Sequence, residues 1–156
     1  MTRLLFDGVA AEGDEMAILS AGAVTALPRR FRIRARALRH LPELAPLLKD
    51  IPSVVDPEGQ RIYGFDPGLA GFDWRIGTGA PDAIFFLGGD HGGNAEIVGC
   101  SRIDMCRLIM PQCSSLKVSE GQVLASVTAM VGGARPFIVR GGDPAAVAAA
   151  LAQHMR

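Results

Sequence analysis

The chain contains no Gly-Lys pair, and with it no G-x-x-x-x-G-K-[ST] loop. The backbone cradle and lysine with which such loops hold nucleotide phosphates are therefore missing from the sequence. Lysine itself is nearly absent: Lys49 and Lys117 stand against 14 arginines. Aromatic residues make up only 6%, with one Trp and one Tyr, and the formal net charge is zero. A nucleic-acid surface normally combines stacking aromatics with net positive charge, so that class is not expected here. No apolar run approaches the roughly 20 residues that a membrane-spanning helix needs. The start, "MTRLLFDGVA", has no long apolar stretch and carries Asp7 early, which does not read as a secretory signal. The three cysteines, Cys100, Cys106 and Cys113, are odd in number and spaced unlike zinc ligands. They read as reduced thiols, and the expected location is the cytoplasm.

What is present describes a globular chain. The 156 residues are 49% apolar and 21% charged, enough to bury a core and consistent with a single α/β domain over 1–156. "RLLFDG" reads as a short strand closed by an Asp-Gly turn, and "DEMAILSAGAVTAL" as a hairpin over 16–19 and 24–27. "RRFRIRARAL" alternates strictly, with Arg30, Arg32, Arg34 and Arg36 on one side and Phe31, Ile33, Ala35 and Ala37 on the other. That period predicts a half-buried strand with an arginine face. A short helix is expected between residues 38 and 48, limited by Pro42 and Pro46. "DPEGQ" over 56–60 is a turn, and residues 64–82, rich in Gly, Pro and Asp, read as a long surface loop, the segment expected to be most mobile.

The second half predicts two strands, "AIFFL" and "AEIV", flanking a glycine-rich connection, and then three helices and a strand. Ser101 caps the first helix, with Ile103, Arg107 and Met110 at helical steps. The second spans 119–131, with Val123, Leu124, Val127, Met130 and Val131 as its apolar stripe and Gly132-Gly133 as its stop. "PFIVRGG" is a strand, and Asp143 caps a last helix that opens on Pro144.

Three groups of residues carry candidate chemistry. The loop "GGDHGGN" offers Asp90 and His91 for contact with phosphate or substrate. It precedes a strand rather than a helix, however, and its glycines and Asn equally suit a tight turn between strands. The stretch from Arg29 to Arg39 holds six arginines in eleven residues, with Arg29, Arg30 and Arg32 the foremost candidates for phosphate or substrate contact. It equally suits the charged face of a protected edge strand. Asp14 and Glu15, directly before an apolar strand, offer hard oxygen ligands of the kind Mg²⁺ takes, or are simply an acidic strand edge.

Taken in order, "GDEMAIL", "GAVTALPRRFRIR", "LRHLPELAPLL", "APDAIFFLGG", "SRIDMCRLIMPQCSSL" and "RPFIVRGGDPAAVAAAL" resemble the C-terminal part of the HPr serine kinase-like proteins. These are P-loop kinases related in fold to phosphoenolpyruvate carboxykinase. The resemblance covers nearly the whole chain. It implies a partial P-loop kinase fold: a mixed sheet, incomplete relative to the full kinase, with short N-terminal strands and three C-terminal helices. It implies ATP and Mg²⁺ as cofactors, with the family's acidic pair at Asp14 and Glu15 and its Pro-Arg segment at Pro28 and Arg29. Two departures are evident. Only thirteen residues precede Asp14, where the family carries its P-loop, and the loop at 88–94 lacks an arginine that relatives often have.

Two functions are expected from this reading. One is a partial or degenerate ATP-dependent phosphotransferase that does not turn over ATP alone, being a short relative, a truncated product or the partner of a separate P-loop chain. The other is a non-enzymatic binding module that holds an acidic protein or peptide on its arginine-rich strand. A third class, a subunit of a homo-oligomer, would cover missing sheet surface with another chain.

Overall fold

A computed structural model describes residues 2–13, 15–27, 29–89, 92–114 and 117–155. The fold mixes α and β structure, but not around one central sheet. Three separate three-stranded sheets form instead among the described residues.

The N-terminal run is a short helix, α1 (Thr2–Phe6), rather than a strand. Its apolar residues are too few to fix a period, and tertiary contact decides. Thr2 and Leu5, one turn apart, are buried, and Gly8 follows at a φ of 81° that suits a helix end. The expected hairpin is present: β1 (Ala17–Ser20) pairs antiparallel with β2 (Ala23–Ala26) through a turn at Ala21-Gly22. Both turn residues have positive φ, 48° and 84°, the combination that matches strand twist in a two-residue connection. A short β6 (Thr78–Gly79) completes this sheet beside β2.

The arginine stretch is extended only over β3 (Phe31–Arg34) and then tightens into a 3₁₀ turn at Ala35–Arg39. Strict alternation runs on to Ala37, but alanine, leucine and arginine are good helix formers and nothing β-branched follows Ile33. After α2 (Leu44–Leu48) and β4 (Ser53–Val55), β5 (Arg61–Phe65) lies between β3 and β4, antiparallel to both. The turn before β5 is tied by Asp56, whose carboxylate accepts from the backbone N–H groups of Glu58 and Gln60. One core gathers on this sheet: Phe31, Ile33, Leu41, Leu44, Leu48 and Phe65, with Leu5 from α1. The segment at 64–82 is not a bare surface loop. Its Phe72 and Trp74 pack on that core, Trp74 meets Phe31 edge-on at 6.2 Å, and the indole N–H donates to the Glu12 carbonyl at 3.1 Å.

The third sheet corrects the reading of the glycine-rich connection. β7 (Ala83–Leu87) and β8 (Glu96–Gly99) do not pair with each other. β9 (Arg135–Arg140) lies between them, parallel to β7 and antiparallel to β8. The connection therefore crosses the end of β9 instead of closing a hairpin. Side chains alternate across this sheet. Ile84 and Phe86 face a second core of Met105, Val127 and Val131, built by α3 (Arg102–Ile109) and α4 (Glu120–Gly133). Phe85 and Phe137 stack at 5.2 Å on the other face, under His154 of α5 (Pro144–His154). Ser101 and Asp143 cap their helices as expected, and Ser119, read from the sequence as the first helical residue, is instead the cap of α4 within a full capping box. Gly132 and Gly133 do not stop α4; they are its last turn, and Ala134 in extended conformation ends it. Neither is among the positive-φ residues, so helical backbone continues through them.

No helix among the described residues is long and apolar enough to cross a membrane.

Candidate functional site

The arginine stretch takes its form from the pairing of β3 with β5. Phe31 and Ile33 point inward, opposite Phe65 and Tyr63, which sends Arg32 and Arg34 to the other face. All six arginines from 29 to 39 are exposed, and no Asp or Glu interrupts them. Arg32 and Arg34 stand about 6.8 Å apart along the strand, the two-residue repeat of extended backbone. Arg30 lays its aliphatic stem over Gly64 of β5, where an added Cβ would lie 3.5 Å from Arg30 Cδ. The guanidinium is thus carried at the surface on a stem packed against backbone.

Partners for this charge are few. Arg32 Nη1 lies 3.6 Å from Glu15 Oε2, with both side chains well exposed. Arg29 Nη1 points at the Met16 sulfur at 3.2 Å, and Arg39 Nε at His40 Nε2 at 3.0 Å. Among the described residues, Arg29, Arg30, Arg34, Arg36 and Arg39 form no ion pair. β3 is an edge strand of its sheet, where exposed charge also guards against pairing with another chain, and exposed ion pairs add little to stability.

The structure brings four of the sequence candidates together. Glu15, Arg29 and Arg30 line one hollow with Met16 and Leu27, and Arg32 reaches Glu15 from β3. The hollow measures about 10 Å³, room for roughly one water. Asp14, Pro28, Asp90 and His91 lie outside the described residues. Of the acidic pair implied to bind Mg²⁺, only Glu15 is among the described residues. The Glu15 carboxylate is turned to an arginine, and the hollow does not hold a phosphate chain. No group of three or more His, Cys, Asp or Glu side chains gathers around a metal-sized space among the described residues.

The glycine-rich connection is tied down by backbone. Gly88 N–H donates to the Val139 carbonyl at 2.8 Å, and Gly142 N–H donates to the Gly92 carbonyl at 3.0 Å. Its described glycines thus serve a crossing of the sheet.

Two features escape sequence reasoning. The Met16 thioether beside Arg29 has no spacing signal. The α4 stripe packs on the core at Val123, Val127, Met130 and Val131, as Met110 does from the end of α3, but Met105 is the fully buried residue of α3, and Ile103 and Leu124 stay 66% and 49% exposed. They line an open groove between the two helices. Cys100, at the head of α3, has its thiol pushed up by partial burial and, second, by the Asp104 carboxylate.

Compared with known protein families, with curated proteins and with solved structures, the chain matches none.

Proposed function

We propose that this chain is a non-enzymatic binding module that holds an acidic segment of a protein partner on its arginine row. The observation that carries this reading is the exposure of six arginines over 29–39, five of them without an ion pair among the described residues. Arginine forks onto carboxylates with paired hydrogen bonds, and the spacing of Arg32 and Arg34 matches alternate side chains of an extended peptide. The test is fluorescence anisotropy with a peptide carrying Glu at alternate positions, at several salt concentrations and without nucleotide. Arg30→Gln/Arg34→Gln should weaken binding by about two- to thirtyfold, as two exposed charge pairs of roughly 0.2–1 kcal/mol each are removed. Affinity should also fall as salt rises. Binding that ignores both changes refutes the assignment.

A second reading is the partial HPr kinase-like phosphotransferase. It rests on the order of the sequence motifs and on the convergence of Glu15 with Arg29, Arg30 and Arg32. On that reading the chain descends from a P-loop kinase fold and turns over no ATP alone. Calorimetry with ATP, with and without Mg²⁺, separates the two. Mg²⁺-dependent binding lost in Asp14→Ala or Glu15→Gln supports the kinase reading; no nucleotide binding, with retained peptide binding, supports the module.

A further inference from the structure

The groove between α3 and α4 is a second surface, built from neither β3 nor the arginine row. Its open volume is about 470 Å³, and Ile103, Cys106, Met110, Leu124, Thr128 and Gly132 line it. Cys106 and Met110 also pack against the core, whereas Ile103 and Leu124 are not part of it. Met105, Val127 and Val131 already fill the core beneath, while Ile103 is 66% and Leu124 49% exposed. Exposed apolar surface of this kind, contiguous and concave, marks an interaction site more often than chance exposure does.

We propose that this groove receives an amphipathic helix with acidic flanks from a partner protein. Three observations select that occupant. Leu124, Thr128 and Gly132 succeed one another at four-residue steps along α4, about 12 Å of helix, which two turns of a docked helix match. Over Gly132 an added Cβ would meet nothing within 4 Å, so a partner backbone has room to approach. The charged residues that line it are basic: among the described residues Arg102 has no ion pair, and Arg107 pairs only with an exposed Asp104, at 3.3 Å. A second copy of this chain is disfavoured by the same charge. A two-fold contact would bring the arginines of both copies to one seam.

The experiment uses the full chain and a capped, fluorescein-labelled peptide of about 15 residues, long enough to hold helix on docking. It carries Leu at i, i+4 and i+7 with Glu on both flanks; a control peptide carries Lys in place of Glu. The acidic peptide should bind saturably, and it should protect Cys106 from iodoacetamide, with the alkylated cysteine identified by mass spectrometry. Ile103→Asp should weaken binding about tenfold or more, since it removes a large apolar contact. Arg102→Glu should weaken it about threefold. Both sites are exposed, so an unchanged far-UV spectrum is expected. Val54→Asp, at an equally exposed apolar site on β4, should leave binding unchanged. Arg32→Glu, on the arginine row, should also leave it unchanged, which keeps this test independent of the row. The proposal is overturned if no saturable binding appears up to about 1 mM, or if the Lys peptide binds as well as the Glu peptide. It is equally overturned if decanoate protects Cys106 while the peptide does not, which would make the groove a small-molecule site. A concentration-dependent dimer abolished by Ile103→Asp would likewise overturn it, in favour of self-association.

Discussion

Gly141 is where the crossing of the third sheet stands or falls. It sits at φ 63°, between the end of β9 and the cap of α5. An alanine Cβ there would lie 2.6 Å from the Asn94 carbonyl oxygen and 2.8 Å from that of Gly92. Both obstacles are backbone, so no side chain can turn away. Two costs add. The left-handed conformation costs a non-glycine residue about 1 kcal/mol. Displacing the connection adds about 2 kcal/mol of overpacking, with the Gly142–Gly92 hydrogen bond at risk. Gly141→Ala should therefore lose about 3 kcal/mol and, in a chain of this size, lower Tm by about 6–12 °C. Gly59 supplies the control. Its φ is 76°, but an added Cβ would meet nothing within 4 Å. Gly59→Ala should show the conformational term alone, about 1 kcal/mol and about 2–4 °C. Differential scanning calorimetry on both variants decides. Equal shifts would mean that the connection does not lie against the β9–α5 turn, and the assignment of its glycines to a structural crossing would fall.

Other perturbations test the rest of the structure. Leu44 and Met105 are fully buried in different cores, so Leu44→Ala and Met105→Ala should each cost about 2–5 kcal/mol. If α1 against α5 and β1 against α4 join the cores into one cooperative unit, both variants lower the same calorimetric transition; a second transition moved by only one of them would show two units. Glu15→Gln should change stability by less than about 0.5 kcal/mol, its partner being exposed. The same change should tighten binding of the acidic peptide to the arginine row by up to about threefold, whereas loss of Mg²⁺-dependent ATP affinity would favour the kinase reading. Because burial and the Asp104 carboxylate raise the Cys100 pKa, its alkylation in the folded protein should set in at higher pH than in urea. Asp104→Asn should move that profile only part of the way back, as burial is the larger cause; a complete return would reverse the order of the two causes.

The sequence is most informative where local chemistry decides conformation. The caps at Ser101 and Asp143 are legible because each side-chain oxygen answers backbone N–H groups within three residues. The Ala21-Gly22 hairpin and the Asp56 turn are legible for the same reason. It misleads where a distant segment arbitrates. "RLLFDG" fits strand or helix equally, and burial against the first core makes it helix. "AIFFL" and "AEIV" look like two arms of a hairpin because the strand that separates them arrives about forty residues later. Sheet order is a long-range property, and no spacing within residues 83–99 encodes it.

The same division applies to function. The arginine row is visible from alternation alone, because a strand's two faces follow from its period. That Glu15 turns to Arg32, and so toward charge pairing instead of an open ligand position, depends on how the β1–β2 hairpin sits beside β3. The groove at α3 and α4 is invisible for a different reason. Ile103, Met105 and Leu124 are equally apolar letters, and periodicity cannot say which of several nearby stripes the core takes when a helix has more apolar residues than one face needs. Met105 goes inward and Ile103 stays out. An apolar residue left over after the core is satisfied is the kind of feature that only a three-dimensional account of burial exposes, and here it falls beside two arginines. The two basic surfaces rest on different elements, a strand with its turn and a helix pair. Variants confined to one should therefore leave the other's binding intact, since changes at separated sites act independently.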